Sequence, residues 1–119
     1  MYDHLTLKVR DLQASLHFYR RLLEPLGFVL SSSDDTSAGF GPPGAPALWL
    51  LAAPKEPTRA IHIALRAPDR AAVDAFHKVG LAAGGRDNGA AGPRADYSPT
   101  YYAAFVFDPD GNNIEAVHT

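Results

Sequence analysis

The chain repeats itself at a fixed distance. Tyr2 to Asp11 reads Tyr-Asp-His-Leu-Thr-Leu-Lys-Val-Arg-Asp, and from Ile61 the pattern restarts as Ile-His-Ile-Ala-Leu-Arg-Ala-Pro-Asp. His4 and His62 lie 58 positions apart, and the same offset links Asp11 to Asp69 and Phe18 to Phe76. Self-similarity at a constant period decides architecture before local propensity does, and two copies are too few for a solenoid. The expectation is a duplicated module whose halves share one core.

Each copy has the same local logic. Leu5, Leu7 and Val9 alternate with His4, Thr6 and Lys8, the period-two pattern of a half-buried strand. Ile61, Ile63 and Leu65 alternate with His62, Ala64 and Arg66 in the same phase, which puts both histidines on the face away from the core. Asp11 and Asp69 follow the strands as N-cap residues for the helices that begin there. Leu12, Leu16, Tyr19 and Leu23 form the stripe of the first helix, ended by Pro25 and Gly27. Val73, Phe76 and Val79 mark the second, ended by Gly84-Gly85.

Strands follow each helix. In the first half they are Phe28 to Leu30, Ser37 to Phe40 and Ala47 to Ala53, the last apolar on both faces and so central; Ser31 to Asp35 reads as a turn. In the second half Arg86 to Pro99 reads mainly as loop with room for one short strand, and Tyr101 to Phe107 and Asn113 to Val117 are strands joined by the Asp108-Pro109-Asp110-Gly111 turn. The sum is an α+β chain of two tandem βαβββ modules, about 1–56 and about 57–119, within a single domain. Their sheets are expected to curve into one mixed β-sheet cup with the helices outside.

Length and charge narrow the function. A chain of 119 residues buries a core without staples. Its 11 basic and 13 acidic residues give no electrostatic footprint for nucleic acid, and no basic run points to a membrane surface. Zero cysteines suit a reducing compartment and exclude thiolate metal sites; with no signal-peptide pattern, the expectation is a soluble cytoplasmic protein.

His4, His62 and Glu115 are the candidate metal ligands. The histidines are repeat-equivalent, and Glu115 alternates with Ile114 and Ala116, so a shared cup would gather two imidazoles and one carboxylate. That set, with open positions, suits a non-haem divalent metal such as Fe, Mn, Zn or Ni. Tyr101 and His77 are weaker catalytic candidates, and Thr6, Arg94, Tyr97 and Tyr101 are candidate substrate contacts.

Asp3 to Leu12, Phe18-Tyr19 and Leu26-Gly27-Phe28 resemble the opening of a vicinal oxygen chelate protein, and Phe107 to Glu115 resembles its closing signature. This superfamily includes glyoxalase I, extradiol dioxygenases, fosfomycin-resistance enzymes and bleomycin-binding proteins. The resemblance spans essentially the whole chain. It implies paired βαβββ modules around a divalent metal, often in a homodimer, with ligand roles on His4, His62 and Glu115. Glyoxalase I carries a fourth, carboxylate ligand on the last strand of the first module; matching Ala47 to Leu51 to that strand puts Leu50 at the position. Thr6 falls where fosfomycin enzymes hold the phosphonate, but Ala103 and Phe105 replace polar groups of those enzymes. The resemblance therefore implies a metal-dependent enzyme, lyase or dioxygenase, acting on a small oxygenated substrate. The alternative it carries is a metal-free binder of drug-like molecules of the bleomycin-resistance type.

Overall fold

The computed structural model describes residues 1–119 and bears out the duplication strand by strand. Strand β1 (Leu5–Val9) and helix α1 (Leu12–Leu23) are followed by a 3-10 turn (Glu24–Leu26), then β2 (Val29–Ser33), β3 (Ser37–Gly41) and β4 (Leu48–Ala52). The second module is β5 (His62–Arg66), α2 (Arg70–Ala82), β6 (Arg86–Pro93), β7 (Tyr102–Phe107) and β8 (Asn113–His118). The sheets have the matching orders β1-β4-β3-β2 and β5-β8-β7-β6. In each, the first and last strands of the module pair in parallel and the other pairs are antiparallel. Both sheets are mixed and open, so β1 and β5 are each terminal strands.

The caps act as the sequence requires. Asp11 Oδ1 accepts from the Ala14 amide at 3.1 Å, and Asp69 Oδ1 from the Ala72 amide at 2.7 Å. Each satisfies a helix N-terminal donor that would otherwise be orphaned, worth about 1 kcal/mol. Pro25 ends α1 by forcing the tighter 3-10 turn, and Gly27 closes that turn at φ 85°, a left-handed value costly for other residues.

The helices pack on each other and on the inner faces of both sheets, in one core. Phe18 and Phe76, the repeat-equivalent pair, are both fully buried. Burial of each contributes about 2–3 kcal/mol before entropy is charged against it. Close contacts lock α1 to the second module. A side chain at Gly80 would collide with Leu22, and one at Gly85 with Phe18.

Two segments depart from expectation. Ser31 to Ser33 extend β2, and the turn falls at Asp34, whose Oδ1 accepts from the Thr36 and Ser37 amides. Those bonds hold the Asp34 carboxyl below its usual range. Residues 86–93 form an eight-residue strand where mainly loop with one short strand is expected, with register shifts between Asp87 and Gly89 and between Gly89 and Gly92. Glycine hides alternation, so a bulged strand reads as a loop.

The Asp108–Asn112 turn binds the modules together. The buried Asp108 carboxylate accepts from Tyr19 OH at 2.6 Å, Asn112 Nδ2 at 3.0 Å, and the Asp110 and Asn112 amides, each at 2.9 Å. Asn112 Nδ2 also donates to the Thr58 carbonyl at 2.9 Å, and its Oδ1 accepts from the Ile61 amide. Burial, then the Asp108 charge, push the Tyr19 hydroxyl well above its ordinary pKa, so it remains a donor.

Candidate functional site

Glu115 is the centre of the site. On β8 it alternates with Ile114 and Ala116, both in the core, and so emerges on the opposite face of the sheet. Yet only 2 % of it is exposed, because neighbours on that face cover it. Its Oε1 accepts from His62 Nε2–H at 2.8 Å, and its Oε2 from Tyr101 OH at 2.5 Å. A buried carboxylate needs such donors, since losing its hydration without them costs several kcal/mol. Tyr101, just before β7, reaches it on the face shared with Ala103 and Phe105. Desolvation, with Glu115 adding to it, pushes the Tyr101 hydroxyl up to about 12.

Around this trio the wall is aromatic. Phe105 lies directly across from Glu115 in the β7–β8 register, with its ring centroid 6.2 Å from that of His62. Tyr97 meets Tyr101 edge-on at 4.9 Å. Arg94 sits over Phe105 at 5.3 Å, but its donors go to the Gly92 and Ala90 carbonyls, at 2.9 and 2.7 Å. It shapes the end of β6 rather than standing free as an anion anchor.

His4 and Thr6 belong to the other sheet. His4 Nδ1 bonds Asp3 at 2.6 Å, and its side chain is 55 % exposed. It lines a groove with Thr6, Ser37, Trp49 and Leu51, whereas His62 lines a second groove between β1 and β5. The single chain contains no cluster of three or more His, Cys, Asp or Glu side chains able to hold a metal ion. Two of the three expected ligands thus meet and the third stands apart. His77 lies on α2, where its Nε2 pairs with Asp87 at 2.9 Å, away from this trio.

The His62–Glu115 pair itself fits a metal. Imidazole nitrogen and carboxylate oxygen bound at about 2.1 Å on adjacent corners of a coordination sphere stand about 3 Å apart. The observed 2.8 Å is an ordinary hydrogen-bond length that is compatible with that spacing, and a divalent ion held by both groups would have to displace the Nε2 proton. The protein donors within one chain are two.

The register also corrects the position opposite Glu115 in the first module. Leu50 is fully buried in the core. In the parallel pairs, Thr6 is opposite Trp49 and Ala64 is opposite Glu115, and Ala64 follows Thr6 by the same offset that relates the histidines. Trp49, not Leu50, is therefore the repeat equivalent of Glu115. No carboxylate stands there in either register, so a fourth protein ligand of the glyoxalase I kind is absent. Leu48 to Leu51 is apolar on both faces, and alternation gave no phase from which to choose.

Comparison with other proteins places this architecture. Residues 2–116 match the profile of the Glyoxalase/Bleomycin resistance protein/Dioxygenase superfamily. Among solved structures, a glyoxalase/bleomycin resistance protein from Albidiferax ferrireducens T118 is 28 % identical with a TM-score of 0.86, over 100 % of this chain and 98 % of that one. A putative glyoxalase from Bacillus halodurans is 23 % identical with a TM-score of 0.74, over 98 % and 94 %. A glyoxalase/bleomycin resistance protein/dioxygenase family enzyme from Burkholderia phytofirmans PsJN is 18 % identical with a TM-score of 0.74, over 97 % and 95 %. These last two share the fold. No curated protein sequence matches the chain significantly. Duplicated modules, matching sheet orders and a profile match over nearly the full length lead to one conclusion: the chain belongs to the glyoxalase/bleomycin resistance protein/dioxygenase superfamily.

Proposed function

We propose that the chain is a metal-dependent enzyme acting on a small oxygenated substrate, with its site completed between two copies of the chain. The observation that carries this reading is the buried Glu115 carboxylate, set beside His62 and paired with no Lys or Arg side chain. The missing third donor is His4, and the sheet edges suggest how it arrives. Strands β1 and β5 end their sheets and border one groove of about 430 Å³, walled by Leu5, Leu7, Ile61, Ile63 and Leu65. Tyr2 is 74 % exposed there and Leu5 37 %. Open strand edges beside apolar side chains are a template for pairing. A two-fold dimer would lay β1 of one copy along β5 of the other, twice over. Each resulting cup would join His4 and Thr6 of one copy to His62 and Glu115 of the other.

A bound divalent ion would supply Lewis acidity and a template for two adjacent substrate oxygens. The protein groups do the rest. Tyr101, protonated at neutral pH, holds Oε2 of Glu115, so that Oε1, on the His62 side, is the oxygen that would ligate. Phe105 gives the approach an aromatic wall, and Thr6 would face the cup from the opposite side. Zero cysteines accord with work in the cytoplasm. No helix is long and apolar enough to cross a membrane.

The test mixes two variants. His4→Ala and Glu115→Ala dimers should each lose metal by more than tenfold in elemental analysis. Unfolded together and refolded, they should regain up to one site per mixed dimer, since that dimer has one intact half-and-half cup. No recovery from dimeric variants would place the site within one chain. A wild-type monomer that takes up no metal would refute the reading altogether. In that case the aromatic wall of Phe105, Tyr101 and Tyr97 favours the second reading, a metal-free binder of planar, drug-like molecules.

A further inference from the structure

We propose that Trp49 is the specificity-determining residue of this site, a platform on which a planar, π-bearing part of the substrate stacks. The inference deepens the reading above and rests on the same two-chain cup. Three observations converge on it.

The first is position. Trp49 occupies the place in the first module that Glu115 occupies in the second, as the Thr6–Trp49 and Ala64–Glu115 pairs show. The two side chains are thus related by the internal repeat and rise from equivalent points of the cup wall.

The second is the way the ring is held. Trp49 is paired with Gly39 on the neighbouring strand. A Cβ at Gly39 would lie 2.8 Å from Cη2 and Cζ3 of the indole and 2.9 Å from Cε3, closer than carbon atoms approach. The indole therefore lies over the Gly39 backbone, and only glycine leaves room for it. The counterpart pair in the other module is Glu115 opposite Phe105. One module sets a large ring beside a carboxylate; the other sets its large ring on a glycine.

The third is the surface this creates. Trp49 stays partly exposed and, with His4, Thr6, Ser37 and Leu51, forms a shallow groove of about 300 Å³. Leu51 is 39 % exposed at its margin. An indole fixed in place with apolar surface in water is arranged for a partner. The nearest one in the dimer is whatever is bound at His62 and Glu115 of the other copy. Strands β4 and β8 would be separated by β1 and β5, about 14 Å along the sheet, with the ring itself leaning one strand further out over β3; the two walls approach each other across the concavity rather than along it. That span suits a single ring carrying an oxygen-bearing head. Stacking on such a surface gives roughly tenfold in affinity.

Trp49 is the only tryptophan, so its fluorescence reports this site alone. Metal-loaded protein is titrated with acetohydroxamate and benzohydroxamate, which share one chelating head and differ by a ring. Benzohydroxamate should bind roughly tenfold tighter and quench the fluorescence. In Trp49→Leu the preference should vanish, with metal content and acetohydroxamate affinity unchanged; Trp49→Phe should keep part of it. Equal affinities in the wild type, or a preference that survives Trp49→Leu, overturn the platform and leave chelation standing. Quenching by benzohydroxamate in protein that takes up no metal supports the platform and removes the enzyme reading. If neither compound binds with or without metal, both fall.

Discussion

The two modules share a skeleton and differ in what they place on it. Both open with a strand, a capping aspartate and a helix anchored by a fully buried phenylalanine. On the outer faces the likeness stops. Across the middle of the first sheet run Thr6, Trp49 and Gly39; across the second run Ala64, Glu115 and Phe105. The tight turns before the last strands differ as well. Pro42 to Ala45 closes with one backbone bond of 2.9 Å, whereas Asp108 to Gly111 closes with a similar bond and adds a buried carboxylate with four donors. Positions that face the shared core are constrained by packing in both halves. Positions on the free faces are not, and it is there that the halves have taken on separate chemistry.

The turn provides the largest way to break this comparison. Asp108→Ala should cost about 3 kcal/mol in urea unfolding, because it leaves Tyr19 OH and Asn112 Nδ2 buried short of an acceptor. A cost under about 1 kcal/mol would mean that the two turns are equivalent after all.

A smaller effect, of opposite sign, should come from α1. Ser15 is buried with no hydrogen-bond partner for its hydroxyl, while the repeat-equivalent residue in α2 is the fully buried Val73. Ser15→Ala removes an unpaired polar atom and should raise stability by about 1 kcal/mol, making the first helix more like the second. A loss instead would reveal a partner for the hydroxyl.

The smallest effect is pH-dependent. Burial, followed by the neighbouring Asp108, raises the Asp110 carboxyl above its ordinary value. The folded state therefore holds that proton more tightly than the unfolded state. The stability this provides is fully present below the ordinary carboxylate range and is lost as pH rises through the raised folded value. Asp110→Asn should be more stable than wild type by about 0.3 kcal/mol at neutral pH, the group being only partly buried, and equal to it in strong acid. A gain that persists in acid would assign the effect to packing rather than to charge.

Much of this was legible in the sequence because repetition and alternation are one-dimensional signals. The 58-residue offset exposed the modules, and the phase of Leu5, Leu7, Ile63 and Leu65 put both histidines on the free faces. Glu115 was legible for the same reason; Tyr101 was only a candidate contact without a phase of its own, and the structure joins it to Glu115. What could not be read were features without a phase. Leu48 to Leu51 offered two registers, and only the pairing with β1 separates Trp49 from Leu50. The glycines of β6 concealed the full length of that strand. The Tyr19–Asp108 bond links residues 89 apart and left no local trace. His4 stands apart from His62 and Glu115 within the chain, and no local pattern encodes that separation.

The Asp108 hub also bears on how such a protein can change. Its donors come from both halves, through Tyr19 on one side and Asn112, itself bonded to Thr58, on the other. If either half were expressed alone, part of this network would lose its counterparts, and neither fragment should form a stable fold. Splitting the chain between its modules would strip Asp108 of its Tyr19 donor and open the shared core, whereas changes on the outer surfaces leave both intact.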